Sequence, residues 1–180
     1  HEARQEEAEL VGELKALERM RETGAAYGTG VRILRKADLD GVLGPLASLI
    51  QVPPEWDRAI EAALGGDLQA VLLERAADVE HAHQVLEAEG GRLTLLALDG
   101  LRAVGSASHL PSAADTVSCE GSIRPAVDVL LGPVALCRDL QEARNLQPEM
   151  PPGSCCVTQN GIVLRADGAF VVGATGEGQI

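Results

Sequence analysis

The sequence predicts a mixed α/β (α+β) domain, in which two similar strand–helix–strand subdomains follow an N-terminal helical segment. A Leu-Gly pair, a short apolar run and an acidic-capped helix occur in this order at 64–82 and again at 131–143. A strand that ends in Asp-Gly or Asn-Gly follows each of them, at 93–100 and 155–161. Repetition of one order of elements is typical of repeated supersecondary units. The sequence therefore predicts two related halves.

The 180-residue chain carries enough apolar side chains for a core, but few of them are aromatic. Hydrophobic residues make up 46% of the chain and aromatic residues only 2%, namely Tyr27, Trp56 and Phe170, so the core must consist of Leu, Val, Ala and Ile. The net charge of −12 argues against broad binding to duplex DNA, because phosphate contacts supply most non-specific affinity. The shortage of aromatic rings leaves few stacking platforms for single strands.

Residues 1–36 are expected to form a helical segment followed by a connector. Leu10, Leu14 and Leu17 are spaced four and three apart among charged residues, a pattern that fits either a coiled coil or an amphipathic surface helix. The pattern stops at Gly24, where a C-cap is expected. Because the chain starts inside this charged helical pattern, we expect it to be a piece of a longer protein.

The most basic local cluster follows a predicted loop at 27–30 and comprises Arg32, Arg35 and Lys36. These side chains could contact phosphate groups. A solvated connector is the favoured interpretation, since short charge runs usually face water.

The first subdomain is expected at about 37–105, with its elements separated by Gly and Pro. A turn and a strand are predicted over Asp40–Val52, and Pro53-Pro54 suits the first turn of a helix that ends at Gly65-Gly66. A strand, a helix and a strand are then predicted at Leu68–Leu73, Asp78–Glu89 and Arg92–Leu98.

The second subdomain is expected at about 115–180, after a Gly- and Ser-containing connector that could hold one short strand. Ile123–Leu131 is predicted as a short helix or turn. Near the C-terminal end, Ile162–Leu164 and Ala169–Val172 flank Ala166-Asp167-Gly168, which favours strand–turn–strand. The second strand runs into Gly173-Ala-Thr-Gly176-Glu-Gly178. Such small residues suit a strand edge that pairs with another chain.

Motifs for catalysis, nucleotides or metals do not stand out. There is no Walker A string, and the glycines at 173, 176 and 178 do not have the spacing of a dinucleotide fingerprint. His81 and His83 are two residues apart, on different faces of a predicted helix, which disfavours zinc. Ser, His and Asp residues form no recognisable catalytic set. We therefore expect no catalytic residue, no metal and no cofactor.

The cysteine spacing does not indicate a metal site, and the hydropathy does not indicate a membrane span. The four cysteines lack CxxC spacing and are expected to be buried, reduced thiols: Cys119, Cys137, Cys155 and Cys156. No apolar run has the length of a membrane span, so a membrane partner is not expected.

Five short motifs occur in order along the globular part. They are Gly41-Val-Leu-Gly44, Ala59-Ile-Glu-Ala-Ala-Leu-Gly-Gly66, Val157-Thr-x-x-Gly161, Asp167-Gly168 and Gly173-x-x-Gly176. Together they resemble the hinge domain of bacterial SMC (structural maintenance of chromosomes) proteins. The resemblance covers roughly Asp38 to Gly178, which a chance match to one motif does not.

The resemblance implies that residues 1–36 are the end of a coiled-coil arm and its connector, and that 37–180 form a hinge, which joins two such arms and forms a homodimer through glycine-lined strand edges. By resemblance, the interface includes the glycines Gly168, Gly173, Gly176 and Gly178 and the neighbouring strand residues Phe170 and Val172.

The resemblance also implies DNA contact at the junction of hinge and arm, where Arg32, Arg35 and Lys36 lie. The net charge of −12 would keep such contact local and weak. ATP would bind only in a head domain outside this chain, and the parent protein would be cytoplasmic, nucleoid-associated and active in chromosome condensation and segregation. The alternatives are a stand-alone nucleic-acid-binding module and a small α/β ligand-binding domain.

Overall fold

The computed structural model describes residues 28–102 and 111–173, which form two halves of similar construction. The first half comprises α1 (Thr29–Ala37), β1 (Val42–Pro45), α2 (Leu46–Leu49), β2 (Ile50–Gln51), α3 (Asp57–Leu64), β3 (Val71–Leu73), α4 (Val79–Glu89) and β4 (Leu95–Ala97). Short 3-10 turns lie between these elements at Pro54–Trp56, Gly65–Gln69 and Ala76–Asp78, and one follows β4 at Leu98–Gly100.

The second half repeats much of this order and adds a hairpin. It comprises α5 (Ala113–Thr116), β5 (Ser118–Cys119), α6 (Arg124–Leu131), β6 (Val134–Cys137), α7 (Leu140–Leu146), a 3-10 turn (Gln147–Glu149), β7 (Cys155–Thr158), β8 (Val163–Arg165) and β9 (Phe170–Val171).

The two halves contain equivalent strand–helix–strand units. In the first, α4 connects the parallel strands β3 and β4, and in the second, α7 connects the parallel strands β6 and β7. An antiparallel segment lies beside the first strand of each unit: β1 pairs with β3, and Ser112 forms an isolated bridge to Ala135 of β6. The predicted mixed α/β fold with two similar strand–helix–strand units is confirmed. The subdomain boundaries at about 37–105 and 115–180 stay predictions.

One apolar core joins the halves. Ile60 of α3 and Val127 of α6, two helices at equivalent places in the repeat, are buried in the same cluster as Leu72 of β3 and Val157 of β7. A short antiparallel ribbon of β2 and β5 adds a backbone connection, with Ile50 opposite Cys119. As expected from the composition, the cluster consists mainly of Leu, Val, Ala and Ile.

Residues 29–37 form a helix that packs on the first half, and this corrects the predicted loop at 27–30 where the structure describes it. Val31 and Leu34 are each about 1% exposed and pack in one cluster with Leu73 of β3 and with Leu86 of α4. Their spacing of three residues puts them on one helical face, a signal that the basic side chains between and after them obscure.

Two predicted strands are shorter than expected. The strand predicted over Asp40–Val52 is interrupted after Pro45, which has no N–H to donate to a sheet, and the Ser48 hydroxyl donates to the Pro45 carbonyl at 2.8 Å. The strand predicted from Leu68 begins only at Val71, because the preceding residues form a 3-10 turn in which the Ala70 N–H donates to the Asp67 carbonyl.

A third strand, predicted over Arg92–Leu98, is also shorter and covers only Leu95–Ala97. The helices predicted over Asp78–Glu89 and Ile123–Leu131 agree with the structure to within one residue. Gly65 and Gly90 follow α3 and α4 with positive φ angles of 50° and 72°, and Asp139 caps α7 by accepting the Glu142 N–H at 2.9 Å. The predicted coiled coil at 1–23 lies outside the described residues. Among the helices that are described, none has the length and apolarity needed to cross a bilayer.

Candidate functional site

The strand β9 forms one edge of the sheet in the second half. The sheet has the order β6-β7-β8-β9, and β9 pairs with β8 through Val171 opposite Val163 and Phe170 opposite Leu164. The side chains of β9 and of the residue after it are unusually open to solvent, with Phe170 48%, Val171 53% and Val172 68% exposed. An apolar strand with an unpaired edge is an aggregation hazard unless another chain covers it.

The turn before β9 is built by Asp167 and Gly168. The Asp167 carboxylate accepts the Ala169 N–H at 3.0 Å and pairs with the Arg165 guanidinium at 2.7 Å. Gly168 has a φ of +89°, which favours glycine, and its N–H donates to the Arg165 carbonyl. Gly168 therefore has a clear role in forming the hairpin.

The structure brings four of the six predicted interface residues together on this hairpin and its continuation. Gly168, Phe170, Val172 and Gly173 follow one another along it, and a Cβ at Gly173 would meet no atom within 4 Å, although its φ of +108° favours glycine. Gly176 and Gly178 lie outside the described residues. The Arg144 guanidinium lies over the Phe170 ring, 5.9 Å from its centroid, in a cation–π contact.

An open groove of about 600 Å³ adjoins β9. Val171 and Val163 line it from the hairpin, Ala62 and Ala63 line it from α3, and the loop before β7 contributes residues from Met150 onwards. The exposed apolar surface of β9 is therefore continuous with a concave one.

A second unpaired strand edge lies in the first half. The sheet order β1-β3-β4 leaves β4 bonded on one side only among the described strands. Leu95, Leu96 and Ala97 are only half-buried there. In the second half the equivalent strand, β7, is covered by β8 and β9. Sequence reasoning missed this edge, although the repeat gave a signal, since only its second copy continues into a hairpin.

The predicted DNA-contact residues share one face of α1. Arg32, Arg35 and Lys36 are all exposed, and spacings of three and four residues align them, on the face away from Val31 and Leu34. Arg32 also donates to the Thr29 hydroxyl at 3.4 Å. Arg35 and Lys36 lie in the last turn of α1, where positive charge also favours the helix dipole.

The thiols differ in exposure. Cys137 and Cys156 are buried as predicted, whereas Cys119 and Cys155 are partly exposed. Burial raises the pKa of the Cys155 thiol to about 11, so little reactive thiolate is present near neutral pH. The hydrogen bond between Cys137 and Cys156 raises the pKa of Cys137 and lowers that of Cys156, because Cys137 acts as the donor.

The common metal ligands do not assemble a metal centre in the part of the chain that the structure describes. There, no group of three or more His, Cys, Asp or Glu side chains is placed to hold a metal ion. His83 instead lies 3.8 Å from Glu87 on the same helix.

The fold thus defines an internally repeated α/β domain in which β4 and β9 each lie at a sheet edge among the described strands. The family of the SMC proteins flexible hinge domain matches residues 39–147, more than half of the chain, and the chain belongs to this family. A hinge domain is not catalytic, which agrees with the expectation that the chain is no enzyme.

Known proteins of the same kind are similar over nearly the whole chain. The Chromosome partition protein Smc of Myxococcus xanthus is 32% identical over 189 aligned residues, which cover 97% of this chain but only 16% of that protein. The chain therefore spans a small part of the curated relative that it matches.

Two solved hinge structures have the same fold. An asymmetric dimer of the Geobacillus stearothermophilus SMC hinge domain gives a TM-score of 0.85 at 29% identity, over 98% of this chain and 78% of that chain. The Pyrococcus furiosus SMC hinge domain gives a TM-score of 0.73 at 29% identity, over 93% and 91% of the two chains.

Proposed function

We propose that this chain is the homodimerising hinge of a chromosome partition protein, and that β9 of one copy pairs with β4 of the other. The exposed apolar edge of β9 is the observation that carries this proposal. Membership of the hinge family and the dimeric relative from Geobacillus stearothermophilus support it.

The internal repeat supports the choice of β4 as the partner of β9. A hairpin covers strand β7, whereas no described strand covers the free edge of its equivalent, β4. A hairpin from a second copy would supply the missing cover. Because each copy offers one β9 and one β4, two copies related by a two-fold axis fill all four edges and close the assembly.

The same pairing would explain why glycines occupy the predicted interface positions. Small residues let two backbones approach closely, and Gly173 holds a backbone angle that other residues rarely adopt. The glycines of the 168–178 segment would therefore shape the edge, while Phe170 and Val172 would supply apolar contact.

Light scattering tests dimerisation. We expect a mass of twice 18.8 kDa for the wild-type chain and a folded monomer for Val172→Glu, because this side chain is already exposed and its change costs the monomer little. Gln84→Glu, an exposed position of α4, is the matched control and should stay dimeric. A monodisperse wild-type monomer at high concentration contradicts the proposal.

Cross-linking tests the pairing itself. We expect a short bifunctional thiol reagent to join two copies when Thr94→Cys and Val172→Cys are combined, and not when either is present alone. A cross-linked dimer in the Val172→Cys variant alone would instead show that β9 meets β9.

We also propose that the basic face of α1 contacts DNA phosphates locally. The alignment of Arg32, Arg35 and Lys36 on one exposed face supports this. Three phosphate contacts predict a salt slope of about −3 in log affinity against log salt. The triple change to Glu should abolish binding while leaving the dimer intact. Binding that persists unchanged in the triple variant would remove α1 as the contact.

The role of the whole protein is an extension of this proposal. The relatives are named chromosome partition proteins, and we propose that the parent of this chain acts on the chromosome, in the nucleoid of the cytoplasm. Its ATP-binding head would lie outside the present chain.

A further inference from the structure

Three sulfur atoms from separate chain segments meet in the core of the second half. Cys137 ends β6, Cys156 lies in β7, and Met150 precedes the loop that leads to β7. The Cys156 thiol donates to the Met150 thioether across 3.2 Å, and Cys137 packs in the same core cluster as these two residues. We call these three residues the sulfur cluster.

The two thiols of the sulfur cluster are buried among apolar side chains. Cys137 and Cys156 are 1% and 0% exposed and share a core cluster in which the other members are aliphatic or Met150: Ala135, Ala143, Leu146 and Leu164. The nearest carboxylates are engaged elsewhere, since Glu142 accepts the Arg138 N–H and Asp139 caps α7.

We propose that the sulfur cluster binds a soft monovalent metal ion of the Cu(I) type. Thiolate and thioether ligands select Cu(I), whereas a structural zinc site requires four ligands. Binding would replace both S–H protons by metal–sulfur bonds, so that one Cu(I) and two thiols give a bis-thiolate complex and two released protons. The oxidation state does not change.

Met150 provides the route to the buried thiols. It lines the groove beside β9 with Pro152 and Gly153, and its sulfur also contacts Cys156. An ion arriving in the groove would therefore meet the thioether first and the thiols next.

The cluster must widen slightly to hold an ion. Metal–thiolate bonds of roughly 2.3 Å require sulfur atoms farther apart than the 3.2 Å between Cys156 and Met150. Met150 has three rotatable side-chain bonds and precedes an exposed loop at 151–153, so it can make this adjustment while the two strands stay paired.

The test is an anaerobic Cu(I) titration of the whole chain in competition with a colorimetric chelator. We expect one ion per chain with thiolate-to-metal absorption in the ultraviolet. Cys137→Ala and Cys156→Ala should each lose the ion, whereas Cys119→Ser and Cys155→Ser should retain it. Cys155 is the matched control, because it neighbours Cys156 on the opposite face of β7.

Met150→Leu keeps the test decisive if a core cysteine variant fails to fold. This change conserves volume and removes the thioether, and X-ray absorption should then count two sulfur ligands in place of three, with weaker binding. Absence of stoichiometric binding, an unchanged ligand count in Met150→Leu, or loss of the ion in Cys119→Ser or Cys155→Ser would each overturn the proposal.

Discussion

Gly30 is the residue at which α1 comes closest to the loop before β4. A Cβ on Gly30 would lie 2.7 Å from Leu93 Cδ2 and 2.9 Å from the Arg92 carbonyl oxygen. Gly91, in the same loop, also lies close to α1, since a Cβ on it would lie 3.3 Å from Gly30 Cα. The two glycines thus allow backbone contact between the helix and the first half.

Gly30→Ala is expected to destabilise the domain by about 1–3 kcal/mol, because overpacking at a backbone contact outweighs the gain in helix propensity. Denaturant unfolding measures this. Gly66→Ala is the control, since a Cβ there meets no atom within 4 Å, and its effect should stay within about 0.5 kcal/mol. A Gly30→Ala variant as stable as wild type would contradict the close approach.

Glu142 illustrates how a charge stabilises the start of α7. Its carboxylate accepts the Arg138 backbone N–H at 2.7 Å and the Arg138 Nε at 3.3 Å. The hydrogen bond from the Arg138 backbone lowers the pKa of Glu142 most, and the bond from the Arg138 side chain lowers it further. The folded state therefore favours the ionised form.

Glu142→Gln is expected to lower stability at pH 7 by no more than about 1 kcal/mol, because the pair is screened by solvent. A depressed folded-state pKa contributes stability above the unfolded pKa of about 4.3, and this is lost as pH falls through the folded pKa. The difference in free energy of unfolding between the variant and wild type should thus vanish in acid, and denaturant unfolding from pH 3 to 7 measures it. A difference that persists in acid would contradict the assignment.

At the scale of elements, the hairpin β8–β9 is what distinguishes the two halves. Both halves have a parallel strand–helix–strand unit, but only the second adds antiparallel strands beyond it among the described residues. Under the proposed function, β9 and β4 are exposed in the monomer and paired in the dimer.

Hydrogen exchange should therefore slow on dimerisation at residues 169–173 and 93–98, because pairing protects edge amides. The comparison is between wild type and Val172→Glu at equal concentration. The exchange of α4 at 79–89 should be the same in both and serves as the internal control. Equal exchange of the two edge segments in both proteins would show that the edges stay unpaired.

The sequence predicted most elements, and its misses have physical causes. The repeat of Leu-Gly, strand and capped helix located β3, α4, β6 and α7, because each is bounded by local signals. Helix α1 was missed because its buried residues lie among basic ones, and its burial depends on α4. The edge of β4 was missed because an unpaired edge is a property of the sheet order and not of the strand.

The sulfur cluster also could not be predicted from the sequence. Cys137 and Cys156 have no metal-binding spacing in the sequence and meet only because β6 and β7 are parallel neighbours. The four predicted interface residues that the structure describes, in contrast, follow one another along the chain, so a single hairpin is enough to bring them together.

At the scale of the whole molecule, charge opposes assembly. Each chain carries −12, so two copies together carry −24. Under the proposed function, apolar contact and backbone pairing would have to outweigh this repulsion.

We expect the dimer to tighten with salt, because raising ionic strength from about 0.1 M to about 1 M shortens the screening length from about 10 Å to about 3 Å. Sedimentation should show a severalfold lower dissociation constant at high salt. DNA binding should respond in the opposite direction. Sucrose at equal osmolality is the control, and a dimer that weakens with salt would indicate an interface dominated by ion pairs.

The short β2–β5 ribbon has a consequence for how the domain transmits force. It pairs only two residues of each strand, whereas β6 and β7 pair four. Tension applied between α1 in the first half and β9 in the second would cross the domain through this ribbon and the shared aliphatic core. Side-chain packing would then carry most of the load, so under traction the two halves would part from each other before either sheet came apart.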